Sequence, residues 1–309
     1  MPTPPPPPEF PPPEVAAVTV WAPAKLNLSL AVGRPDAQTR LHPISSRMIA
    51  LDFADTVAVE RLPAEDSSGT DSSLFTIAFA DDAPRRQAVD WPLDRDLASR
   101  AHHLIEASAG RPLPVAATIS KRIPTGAGLG GGSADAAAMI VALDQLFRLE
   151  LSTDDTAKIA DQLGSDVHFS LAVLRGENAC LVSGIGQAVA SDSLDPPIHL
   201  ALVLPDFGCP TGPVYAAFDR LGLGRARLET PKPGDRVNDL EPAAVAVEPR
   251  LGDLLETLRR SLGRPVHLTG SGAACFVIAD DADHAGTLAR TAREATGQTA
   301  IATRSRRAT

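Results

Sequence analysis

The order of strand-like and helix-like segments predicts an α+β protein built in two layers rather than a repeating βαβ array. Three observations carry that expectation. β-rich runs come first, at 15–21, 26–32 and 48–59, with no helical pattern between them. A glycine-rich loop, Pro124 to Ser133, then opens into an alanine-rich helical stretch. After it, strand patterns at 178–189, 199–205, 274–279 and 299–303 alternate with helical ones.

Taken in order, residues 1–14 are dominated by proline, which favours extended polyproline II and cannot join a packed core, so a disordered tail is expected. Asp55 interrupts the third apolar run and reads as a strand edge or turn. Residues 63–73 are Ser, Asp, Gly and Thr-rich, the composition of an exposed hairpin tip. Leu74 to Phe79 alternates like a strand, Leu97 to Ala109 reads as a helix, and 114–119 returns as a strand. Beyond the loop, Ile140, Leu143 and Phe147 fall on one helical stripe. Ser152 with Asp155 three residues on has the pattern of a capping box, and Gly164 ends that helix. Short helices are expected at 215–221, 240–247 and 251–262, a strand at 267–269, and a longer helix at 282–295. The division expected is 15–172 for one domain and 173–303 for the other, with 304–309 a basic solvated tail. That count suits a chain of 309 residues.

Net charge is −9, which argues against nucleic acid as a partner. Three cysteines, Cys180, Cys209 and Cys275, lack metal-ligand spacing and read as reduced thiols of a cytoplasmic protein. No apolar run reaches the roughly 20 residues of a membrane span, and no basic and apolar leader opens the chain.

The loop carries glycine at 126, 128, 130, 131 and 132, followed by Ser133. Such a backbone can approach an anion closely, and the following helix adds its positive end, so loop and helix together read as a phosphate cradle. A plain turn into a buried helix needs one or two glycines, not five in seven positions. The letters Gly126-x-Gly128-x-x-Gly131 fit the dinucleotide fingerprint, yet the preceding segment is polar and ends in Pro124. No Lys-Ser/Thr pair follows, which excludes the P-loop. Asp206-Phe207-Gly208 lacks the companion motifs of a protein kinase.

Pro124-Thr-Gly-Ala-Gly-Leu-Gly-Gly-Gly-Ser133 resembles the ATP-binding motif of the GHMP kinases. Ala22-Pro-Ala-Lys25-Leu-Asn27, Leu163-Gly-Ser-Asp166-Val, Asn238-Asp239-Leu240-Glu241 and Thr269-Gly-Ser-Gly272 resemble further family motifs in the same order. The triple glycine is most similar to the members that phosphorylate the 2-hydroxyl of 4-diphosphocytidyl-2-C-methyl-D-erythritol on the non-mevalonate isoprenoid route. The resemblance implies a ribosomal protein S5 domain 2-like N-terminal domain, a ferredoxin-like C-terminal domain, and a site between them. It implies ATP with Mg²⁺, the ATP held by Pro124, Gly126, Gly128, Leu129, Gly130, Gly131, Gly132 and Ser133. Ser133 would touch a phosphate oxygen or Mg²⁺, or else cap the helix. Asp166 would orient the acceptor hydroxyl, an ordinary carboxylate being a weak base for an alcohol. Lys25 would sit opposite it, Asn27 would contact substrate, and Gly270, Ser271 and Gly272 would close the site.

The chain departs from that pattern where the base should sit. Asp36-Ala-Gln-Thr-Arg-Leu41-His42 is longer than the family's Asp-Gly-Tyr-His and lacks the tyrosine. Gly184-Ile-Gly-Gln187 replaces Gly-Arg-Gly-Glu, Ala134 replaces a second serine, and His168 a proline. The expectation is that His42 keeps its hydrogen bond to the cytosine while Phe207 supplies the ring contact. Two other readings stand beside this one: a GHMP kinase for a homoserine- or mevalonate-like alcohol, and a non-catalytic nucleotide sensor. Lys25 and Asp166 favour an enzyme.

Overall fold

A computed structural model describes residues 16–62 and 73–307. The proline tract, all but the last residue of the hairpin tip expected at 63–73, and residues 308–309 lie outside the described residues. The first sheet holds β1 (Ala17–Val32), β2 (Ile44–Arg61), β3 (Leu74–Phe79), β4 (Val115–Lys121), β5 (Ala179–Gly184) and β6 (Ala188–Asp192). Its order is β3-β4-β2-β5-β6, with β1 antiparallel to β2 along most of its length. Because β2 is 18 residues long, its C-terminal half pairs with β4 and its N-terminal half with β5.

Helices cover one face of this sheet. α1 (Leu97–Ala109) is capped by Asp96, whose carboxylate accepts the amides of Ala98 and Ser99, and it stops at Gly110 in the left-handed region. α2 (Gly131–Phe147) is alanine-rich and buried nearly all round, which lets it lie close on β1 and β2. α3 (Thr153–Leu163) begins with the expected capping box of Ser152 and Asp155. α4 (Asp166–Leu174) follows at once. The sequence reading had no helix there.

The second sheet is antiparallel, in the order β10-β7-β9-β8. Its strands are β7 (His199–Leu204), β8 (His267–Leu268), β9 (Cys275–Ala279) and β10 (Thr299–Arg304). α5 (Thr211–Arg220), α6 (Glu241–Val247) and α7 (Pro249–Leu262) separate β7 from β8, and α8 (Ala282–Thr296) separates β9 from β10. This is the expected ferredoxin-like layer.

β5 pairs with β2 and with β6, so the first sheet runs past residue 172 and the change of sheet falls between Asp192 and His199. Residues 304–306 are not a loose basic tail. Arg304 ends β10 and donates to Asp52 (2.6 Å), while the Arg306 amide donates to the Ala50 carbonyl (2.9 Å). Backbone pairing outweighs the local basic composition.

Among the described residues there are four apolar clusters, the smallest packing Phe169 and Val173 of α4 on Met48 and Val182, and the other three span the layers. One lies between the first sheet and α1, α2 and α3. A second packs the second sheet against α5, α6, α7 and α8. The third joins the sheets, with Leu26, Leu28 and Leu51 meeting Leu200, Leu202 and Phe276. β1 contributes to all three, through Ala22, then Ala24, Leu26 and Leu28, then Leu30 and Val32.

Candidate active site

The two layers leave a cleft of about 830 Å³, and every residue from Ile123 to Ser133 lines it. Two positions in that loop demand glycine. Gly128 has φ +76, and a Cβ there would stand 2.3 Å from the Thr269 carbonyl oxygen. Gly130 has φ +68, and its Cβ would meet the Lys25 stem at 2.7 Å. Gly130 caps α2, so Ser133 sits in the helix's first turn and is not the N-cap that one sequence reading offered.

The loop's base is fastened by a buried charge cluster. Lys121, at the end of β4, donates to the carboxylates of both Asp55 and Asp135. Asp55 also accepts the amides of Arg122 and Ile123, the latter at 2.8 Å. An acid expected at an edge or turn is therefore fully buried, because its partner lies 66 residues along the chain. Burial pushes the Asp135 carboxyl up to about 8, with Lys121 opposing and Asp55 adding to the rise. Burial alone would lower Lys121, but the two carboxylates hold it above its ordinary value.

Across the cleft, the β1–β2 register shifts on both sides of Lys25–Asn27, the kind of irregularity that re-aims side chains next to sites. The Lys25 Nζ donates to the Asn27 Oδ1 (2.5 Å) and lies 3.8 Å from an Asp166 carboxylate oxygen. Asn27 donates through Nδ2 to the Ser46 hydroxyl (2.8 Å), so its amide is engaged on both sides and aims the lysine. Asp166 occupies the first turn of α4, where the helix end favours a negative charge, and its carboxylate opens to the cleft.

The Thr269–Gly272 turn approaches from the second layer. Thr269 accepts the Asn27 amide (3.0 Å) through its hydroxyl. Asn238 donates to the carbonyls of Leu268 and Gly270, both at 2.9 Å, which gives the Asn238–Glu241 motif a structural task. Gly270 and Ser271 line the cleft. Gly272 lies behind them, facing Leu268 and Cys209.

The far end of the cleft corrects the sequence reading. Phe207 does not line it: the ring packs into the core of the second layer with the Arg250 guanidinium 4.5 Å over its face. Burial with a cation–π partner outweighs presenting that ring to the cleft. Tyr215 on α5 stands there instead, its ring centroid 5.0 Å from that of His42. It is the chain's single tyrosine, placed just after Pro210-Thr-Gly-Pro, and that was the signal available. Burial, and then the charge of Asp166, push its phenol up to about 12. His42 lines the cleft but is committed: its Nδ1 donates to the Gly33 carbonyl (3.0 Å) and its Nε2 faces Asp219 at 3.4 Å. Leu41 lies exposed at the mouth.

Sequence and structural comparisons converge on one family. The family model described as "GHMP kinases N terminal domain" matches residues 96–173, and "GHMP kinases C terminal" matches 222–297. The 4-diphosphocytidyl-2-C-methyl-D-erythritol kinase of Thermobifida fusca is 34% identical over 296 residues, 90% of this chain and 92% of that one. The protein of the same name from Caulobacter vibrioides (strain ATCC 19089) is 34% identical over 86% of this chain and 89% of its own length. A crystal structure of 4-(cytidine 5'-diphospho)-2C-methyl-D-erythritol kinase superposes with a TM-score of 0.71 and 30% identity. It covers 94% of this chain and all of the other. By this kinship the chain belongs to the GHMP kinases, among the 4-diphosphocytidyl-2-C-methyl-D-erythritol kinases.

Proposed function

We propose that the protein transfers the γ-phosphoryl group of ATP to the 2-hydroxyl of 4-diphosphocytidyl-2-C-methyl-D-erythritol. The observation that carries this is the Lys25–Asp166 pair, 3.8 Å apart where the glycine loop, β1 and the Thr269–Gly272 turn converge. Phosphoryl transfer asks chiefly for positioning and charge compensation. In this reading the amides of 126–132 hold the ATP phosphates. Gly128 and Gly130 let the loop close on the Thr269–Gly272 turn and on the Lys25 stem, where a Cβ would strike the Thr269 carbonyl oxygen or the lysine. Asp166 accepts a hydrogen bond from the acceptor hydroxyl and aligns it. Lys25, fixed by Asn27, sets positive charge beside the oxygens between which the phosphoryl group passes.

The Ser133 hydroxyl and the Asp166 carboxylate are hard oxygen donors in the same cleft, a set that suits Mg²⁺. When bound, the ion would neutralise charge on the β- and γ-phosphates. At the other end, Tyr215 offers the cytosine a π-face. His42, held by Gly33 and Asp219, backs that ring and is not the base's main hydrogen-bond partner. Gly270 and Ser271 supply polar groups between the two ends.

Among the described residues no helix is long and apolar enough to cross a membrane. Cytoplasmic work, where ATP is at hand, fits this reading. The test is ATP consumption across a panel containing the cytidyl acceptor, homoserine, mevalonate and a no-acceptor control. Turnover confined to the cytidyl acceptor supports the proposal. Turnover with an acceptor that lacks a base would keep the family and discard the substrate.

A further inference from the structure

The loop 34–42 contributes Arg40, Leu41 and His42 to the cleft. That loop is latched by Asp36. Its carboxylate accepts the amides of Gln38 (3.0 Å) and Thr39 (2.8 Å) and the Thr39 hydroxyl (3.0 Å). Its backbone closes the turn twice, with the Asp36 amide donating to Leu41 (2.9 Å) and the Arg40 amide donating to Asp36 (3.0 Å). The amides of Thr39 and then Gln38 hold the Asp36 carboxyl below its ordinary range.

The latch keeps Arg40 at φ +61, in the left-handed region that a residue with a Cβ adopts only at a cost. Arg148 and Glu150 share this conformation elsewhere in the chain, but Arg40 is the one of the three that lines the cleft, beside Leu41 and His42.

The cleft's two lysines are already engaged: Lys25 serves Asn27 and Asp166, and Lys121 serves Asp55 and Asp135. The His42 ring is held by Gly33 and faces Asp219. Among the described residues Arg40 is the lining cation whose side chain makes no hydrogen bond or ion pair. Meanwhile Asp166 and Asp219 make this end acidic, which would repel an anionic acceptor.

The geometry points to Arg40 as a specificity-determining residue that binds the diphosphate bridge of the acceptor, with the Asp36 latch holding it in place. The inference rests on the acceptor proposed above. A guanidinium is suited to two adjacent phosphate oxygens, where a lysine would act only as a point charge.

The test uses the full-length enzyme and three variants, Arg40→Gly, Arg40→Gln and Arg40→Lys. A non-hydrolysable ATP analogue occupies the nucleotide site while CDP and cytidine are titrated calorimetrically as separate probes. Loss of a hydrogen-bonded charge should weaken CDP binding by about 10- to 100-fold in Arg40→Gly and Arg40→Gln. Cytidine binding and the KM for ATP should hold, and Arg40→Lys should recover part of the CDP affinity. Because glycine accepts φ +61, Arg40→Gly should keep or raise the melting temperature, which separates lost charge from a damaged loop. CDP and cytidine weakening in parallel, or neither weakening, overturns the role of Arg40 alone. A wild-type enzyme that binds neither probe overturns the acceptor reading, and Arg40 with it.

Discussion

Asp166 meets the cleft through a carboxylate on the first turn of α4, and its task can be isolated because asparagine keeps the shape and drops the charge. Asp166→Asn should still bind ATP but turn over at least ~10²-fold more slowly, the usual worth of a positioned acid or base. Steady-state kinetics beside nucleotide binding checks it, and unchanged turnover removes the residue from the mechanism. Tyr215 gives a second reading at this scale, since it is the chain's single tyrosine and its titration is free of overlap from others. Its phenol should ionise with a midpoint of about 12 in the native protein and near 10 once unfolded. The folded value is the higher one. The stability it represents is therefore complete below pH ~10 and is lost as pH rises towards 12. An ultraviolet pH titration of native and denatured protein decides this, and a native midpoint near 10 would mean that the ring stands in open water. Lys25 and Asp166, 3.8 Å apart in the cleft, could be singled out in the sequence because each lies inside a recognisable motif. Tyr215 carries only its singularity as a signal, and Phe207, the ring expected near His42, is claimed first by the second layer's core.

Glycines of one loop differ sharply in what they tolerate. Gly126 and Gly128 both have positive φ, but a Cβ at Gly126 meets nothing within 4 Å while one at Gly128 meets backbone at 2.3 Å. Gly126→Ala should cost about 1–2 kcal/mol of stability from backbone strain alone. Gly128→Ala should cost about 2–4 kcal/mol, since overpacking adds to the strain, and should abolish ATP use by parting the loop from the Thr269–Gly272 turn. Thermal unfolding together with KM for ATP would show the difference, and equal effects at both positions would refute it. Elements with strong end signals were the legible ones. α1, α3 and α8 each start at a capping side chain and end at or beside a glycine. α4 escaped because Asp166-Val-His-Phe-Ser-Leu-Ala-Val-Leu has no amphipathic stripe to reveal its period. Asp55 escaped for another reason: an acid in an apolar run looks like an edge until a lysine from a distant strand is set against it.

Over the whole molecule, the sulfur chemistry is quiet. Cys180 and Cys209 are pushed up to about 12 and about 11 by burial, and Cys275 is driven higher still for the same reason. Native protein at pH 8 should therefore resist iodoacetamide at all three positions, whereas denatured protein should take up three equivalents. Mass spectrometry counts them, and rapid native labelling at any site would disprove its burial. Two-layer architecture was legible from element order, but the sheet boundary was not, since the β5–β6 hairpin declares its sheet only by pairing with β2. The strand β1 has a last consequence, for the time course of synthesis. Its Leu30 and Val32 complete the core of the second layer, whose edge strand β10 is made long after β1. At about 5–20 residues per second, β1 waits tens of seconds on the ribosome for those partners. The first layer can assemble meanwhile and give Leu26 and Leu28 part of their cover through Ile49, Leu51 and Leu129, but Leu30 and Val32 stay uncovered until the second layer has been made. The nascent chain should depend on chaperones until that layer has emerged.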